Sequence, residues 1–155
     1  MSKETPHHYK LRWQRLSRWA IEARRWIADA EEDLEVAKVL LNSKHYAASC
    51  FHSQQAGEKA VKASLYALGI EARGHSIADL LRALERACGK SFEHLIEDAK
   101  QLDKHYSPPR YPNLHPGMET PAYELYTRRD AESCLSSAQK ILSSMKELLK
   151  QSNTT

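Results

Sequence analysis

A chain of 155 residues is a normal size for one domain and can bury a core without help from disulfides or metals. With 41% hydrophobic and 28% charged residues it reads as globular, and 5 Gly and 6 Pro leave few breaks, so long helices are favoured. A net charge of +3 does not demand a nucleic-acid partner, though it allows one, and no run of 18 apolar residues offers a membrane span.

In chain order, the polar start Met1-Ser2-Lys3-Glu4 lacks the apolar core of a secretion signal, so a cytoplasmic protein is expected. Residues 1–16 form an N-terminal arm in which His7-His8-Tyr9-Lys10-Leu11-Arg12-Trp13-Gln14-Arg15 interleaves basic and aromatic groups. Such a stretch can contact phosphates and bases; the plainer reading is a solvated extension with Trp13 packed on the domain. The first helix is expected from Arg18 to Asn42, where Trp19, Ala23, Trp26, Ala30, Leu34, Ala37 and Leu41 repeat at three- and four-residue steps. Its other face, with Arg24, Arg25, Asp29, Glu32, Asp33 and Lys38, reads as solvated.

A second helix is expected from His45 to Leu68, closed by Gly69 at the position that favours a left-handed residue. Gln54, Glu58 and Lys62 fall on one face at four-residue steps, beside Gln55 and Lys59, as a ligand-binding track or a surface ladder of charges. Ser76 caps a third helix that ends at Gly89, and His75 stands just before its amide-rich start, near an anion or bonded within the loop. Ser91 opens a fourth helix through Tyr106, ended by Pro108-Pro109. The loop 107–121, SPPRYPNLHPGMETP, has too many prolines for regular structure, and loops of that length are commonly functional. A last helix runs from Ala122 to Lys150, and the tail 151–155 is expected to fray. The fold class is therefore all-α: one domain, an antiparallel up-and-down bundle of about five helices.

Cys50, Cys88 and Cys134 are scattered without Cys-x-x-Cys spacing, which argues against a disulfide framework and against a structural zinc site. No two histidines show the helical spacing of a catalytic metal, so metal-independent chemistry with no cofactor is preferred. The loop carries the best-placed groups. Arg110 can grip a phosphate with two parallel hydrogen bonds, and His115, a few residues on, can move a proton. The competing reading ties Arg110 to an acid such as Asp103.

These motifs, in order, resemble the HEPN domain family: Ala30-Glu31-Glu32-Asp33-Leu34, Gln54-Gln55-Ala56-Gly57-Glu58-Lys59-Ala60-Val61-Lys62, Gly74-His75-Ser76-Ile77, and Leu102-Asp103 leading into Arg110-Tyr111-Pro112. The resemblance implies a helical bundle that dimerises and works beside a minimal nucleotidyltransferase in a two-component system of toxin–antitoxin type. Nuclease members carry an arginine, four to six residues and a histidine, matched here by Arg110 and His115 as the catalytic pair. That form places a polar residue after the arginine, where this chain has Tyr111. Members of the Arg-Tyr-Pro form are nucleotide-binding or partners of the transferase. The expected function is a nucleotide- or RNA-phosphate-binding component with Arg110, Tyr111, Gln55, Lys59, Lys62 and His75 as ligand groups. The alternatives are a metal-independent endoribonuclease and a non-catalytic protein-interaction module.

Overall fold

The computed structural model describes the backbone of residues 6–152 and the side chains of residues 18–151. Five α-helices, α1 (Pro6–Asn42), α2 (Tyr46–Ala67), α3 (Ile77–Cys88), α4 (Glu93–Asp103) and α5 (Arg128–Ser152), and two 3-10 turns, Pro112–Leu114 and Ala122–Leu125, make up an all-α bundle with no strand among the described residues. The first helix starts well before Arg18: the segment expected as an arm is helical from Pro6, a residue whose fixed φ and missing donor suit a first turn. The side chains of His7 to Arg15 and the terminal residues 153–155 lie outside the described residues.

α1 and α2 form an antiparallel hairpin. Lys44 turns the chain with a positive φ of 65°, while the amide of His45 reaches back to Leu40 (2.8 Å) and that of Lys44 to Leu41 (3.1 Å), so the last carbonyls of α1 are satisfied. α2 ends as its sequence suggests: Gly69 (φ 76°) donates to Tyr66 and Ile70 to Leu65, and Leu68, expected as the last helical residue, caps the helix and is exposed. Gly89 (φ 73°) closes α3.

α2 is the central element, packed against α1, α3, α4 and α5. Its Gly57 brings the neighbours close: a Cβ there would stand 3.0 Å from Ile77 Cδ1 and 3.1 Å from Leu102 Cδ1. Leu65, Ile77, Leu81, Leu84, Leu102, Ile141 and Met145 fill the core around it. Trp19 and Trp26 of α1 are half-buried and stack on Tyr66 of α2. No helix among the described residues is long and apolar enough to cross a membrane.

Two later boundaries also differ from the sequence reading. α4 stops at Asp103, short of Tyr106 and the prolines, because Asp103 turns to the start of α3. α5 begins at Arg128 rather than Ala122. Thr127 and Asp130 form a reciprocal cap there: Thr127 N–H (2.8 Å) and Oγ1–H (3.0 Å) donate to Asp130 Oδ2, and Asp130 N–H donates to Thr127 Oγ1 (3.2 Å).

Candidate functional site

Because α2 is packed on several sides, its polar residues cannot all face water. Gln54 is 0%, Glu58 3% and Lys62 6% exposed, which removes the surface-ladder reading of this face. A buried charge persists only when paired and hydrogen-bonded. Glu58 meets that condition: it receives Lys62 Nζ at 3.2 Å, Gln54 Nε2 at 3.2 Å and His75 Nδ1 at 3.1 Å. Lys62 also lies over the Trp26 ring, 5.4 Å from its centroid. Gln54 donates to the His75 carbonyl (3.2 Å) and accepts from Gln55 (2.7 Å).

A second cluster sits on the α1 side of the same helix. Lys59 pairs with Asp33 at 2.7 Å, and His52 Nδ1 lies 3.0 Å from the other oxygen of that carboxylate. Asp33, placed by periodicity on the solvated face, is therefore mostly buried.

The start of α3 is already occupied by an anion of the chain itself. Asp103 Oδ1 accepts from Ile77 N (2.6 Å), and Oδ2 accepts from Ser76 Oγ (2.9 Å) and Ala78 N (3.2 Å). An external phosphate at these amides, the reading considered for His75, is thereby replaced by a carboxylate. The same bonds commit Asp103, so the competing internal pair between Asp103 and Arg110 does not form.

His75 is half-exposed, and its ring stacks on Tyr106 at 4.4 Å with a 15° interplanar angle. Tyr106 carries Arg110 in turn. The guanidinium carbon of Arg110 lies 4.3 Å from the Phe51 ring centroid, 4.8 Å from Tyr106 and 5.2 Å from Tyr111, and Nε donates to the Tyr106 carbonyl (2.9 Å). Arg110 is exposed and forms no ion pair with a carboxylate among the described residues. Three aromatic faces and one carbonyl hold this cation in place while leaving its charge uncompensated.

His115 lies on the same loop but is turned toward its own backbone. Nε2 donates to the Pro108 carbonyl (2.7 Å), and the ring stands edge-on to Tyr126 at 6.1 Å. A run of contacts thus links Arg110, Tyr106, His75, Glu58 and Lys62, with Gln54 and Gln55 at its edge, whereas Lys59 belongs to the Asp33 cluster. Phe51 and Tyr106 are structural partners of Arg110 that the sequence reading did not single out. Their nearness to Arg110 is a long-range contact with no spacing signal.

A bundle of five helices with a loop-borne, uncompensated arginine beside a buried polar row defines a small all-α domain whose candidate site centres on Arg110. Residues 23–148 match the HEPN domain family, and the chain belongs to it. It is 42% identical over 135 residues to "Putative toxin MJ1304" of Methanocaldococcus jannaschii, an alignment spanning 83% of this chain and 89% of the relative. Among solved structures it is similar to TT1696 from Thermus thermophilus (45% identity, TM-score 0.76, 81% of this chain and 97% of that one). ST0689, described as an archaeal HEPN homologue, is similar at 42% identity and TM-score 0.67, over 81% of this chain and 95% of its own. An HEPN domain protein from Thermotoga maritima, tm0613, gives 32% identity and TM-score 0.65, over 81% and 98%.

Proposed function

We propose that this protein is the HEPN component of a two-component, toxin–antitoxin-like system, binding a nucleotide or RNA phosphate through Arg110 beside a nucleotidyltransferase partner. The observation that carries the reading is the guanidinium held on Phe51, Tyr106 and Tyr111 with no carboxylate partner among the described residues. A planar cation kept in one orientation loses little entropy when a phosphate arrives and can meet it with two hydrogen bonds. Tyr111, 47% exposed, offers a ring on which a base can stack. His75 adds an accessible imidazole next to the same rings. Lys59 and Lys62 act differently from a phosphate grip: their charges are spent on Asp33 and Glu58, so they support the wall of the site. The relative named as a toxin and the resemblance to transferase-paired members support the system-level part of the reading.

Binding is favoured over cleavage because Nε2 of the His115 imidazole is engaged by the Pro108 carbonyl instead of being free to carry a proton. Fluorescence titration with labelled ATP and with a short single-stranded RNA, both in EDTA, tests this. Saturable binding that falls at least about tenfold in Arg110→Ala, with intact RNA afterwards, is the expected result. RNA cleavage in EDTA that disappears in both Arg110→Ala and His115→Ala would replace binding by nuclease action. Absence of binding and cleavage, with a transferase still co-purifying, would leave only an interaction module.

A further inference from the structure

Apart from the arginine site, the fold gathers three metal-ligating side chains that the sequence holds far apart. Cys50 lies in α2, His105 just beyond the end of α4 and Cys134 in α5, and one donor atom of each lies within 4.8 Å of the other two. Both cysteines are 0% exposed and neither is in a disulfide. Nδ1 of His105 is buried without a hydrogen-bond partner among the described residues, a state that costs free energy unless something else meets the nitrogen. Around a tetrahedral zinc ion, Zn–S of about 2.3 Å and Zn–N of about 2.0 Å set the donors roughly 3.5–4 Å apart. The trio, within 4.8 Å of one another, lies close to that spacing.

The surroundings fit a cation. The Tyr126 ring stands edge-on to His105 at 5.7 Å and covers the imidazole. Asp130, in the first turn of α5, adds a negative charge that bears on both thiols.

We infer that Cys50, His105 and Cys134 form a binding site for a thiolate-preferring d10 metal ion of the zinc class, with a fourth coordination position left open. Binding of the ion releases the two thiol protons of Cys50 and Cys134 to solvent and moves no electrons. The ion would join α2, the end of α4 and α5 at one point. Its position matters to the arginine site, since Phe51 follows Cys50 and Tyr106 follows His105 in the chain, and these are two of the rings under Arg110. Metal occupancy therefore steadies the base of the loop without touching the ligand.

The test is an anaerobic titration of the reduced full chain with Co2+, whose thiolate complexes show a sulfur-to-cobalt charge-transfer band, followed by displacement with Zn2+. One Co2+ per chain, bleaching of the band by Zn2+ and a Zn2+-dependent rise in Tm are expected. Cys134→Ser and His105→Phe should each weaken binding at least about a hundredfold, whereas Cys88→Ser, altered in α3 away from the trio, should bind as the parent does. Circular dichroism reports whether each variant folds, and Cys50→Ala serves where a variant does not. Absence of the charge-transfer band in the reduced parent overturns the site, as does an undiminished band in folded Cys50→Ala. A Cys50–Cys134 disulfide that forms in air, in a protein whose reduced form takes no cobalt, also overturns it and reassigns the pair to redox chemistry. Arg110→Ala should leave cobalt binding unchanged, so failure of the nucleotide reading and failure of the metal site give different results.

Discussion

Arg110 and Glu58 show opposite ways of keeping a charge. Arg110 is exposed and rests on π faces, so its removal costs little packing; Arg110→Ala should change urea-unfolding stability by less than about 0.5 kcal/mol while lowering phosphate-ligand affinity. Arg110→Lys keeps the charge but loses the planar fork and the flat contact with Phe51 and Tyr106, so intermediate binding is expected in the same titration. Glu58 is buried, with Lys62 equally buried beside it. Glu58→Ala strands the Lys62 ammonium in the interior, and a loss of about 3 kcal/mol or more is expected in urea unfolding, with loosening of His75 as a secondary effect. Double replacement of Glu58 and Lys62 by Leu and Met should cost less than the single change, because no lone charge is left. A double change as damaging as Glu58→Ala would show that the other Glu58 partners, Gln54 and His75, carry the energy instead.

At the scale of elements, helix ends are completed by side chains from other parts of the chain as well as by local caps. Ser76 acts locally, accepting from Asp79 N at 3.2 Å, whereas the carboxylate that satisfies Ile77 and Ala78 comes from the last residue of α4. Asp103→Ala should cost about 2–3 kcal/mol, since it removes charge-assisted hydrogen bonds to partly buried donors at a helix N-terminus. Hydrogen exchange should localise the effect: the amides of Ile77 and Ala78 lose protection first. Uniform loss across all helices would mean that the contact is not specific to α3. Serine and glycine boundaries at Ser76, Gly69 and Gly89 were legible because each is a local rule of backbone conformation. The Thr127–Asp130 cap obeys an equally local rule, but the helix start expected at Ala122 forms only a short 3-10 turn.

For the whole molecule, the close approach of α2 to α3 and α4 depends on a residue without a side chain. Gly57→Val should destabilise by about 1–3 kcal/mol through forced displacement of Ile77 and Leu102, read as a lower urea midpoint. Because α3 begins two residues after His75 and α4 ends at Asp103, ligand affinity should fall with it. The all-α class, the single bundle, most of the apolar stripes and the family resemblance followed from the sequence itself, because helical period and capping are properties of neighbouring residues. What tertiary structure alone decided was which polar groups are buried, that Asp103 serves α3 instead of Arg110, that Phe51 and Tyr106 support the guanidinium, and that Cys50, His105 and Cys134 meet. Those relations join residues on different helices, and their energies depend on desolvation and distance, quantities that exist only once the helices have packed.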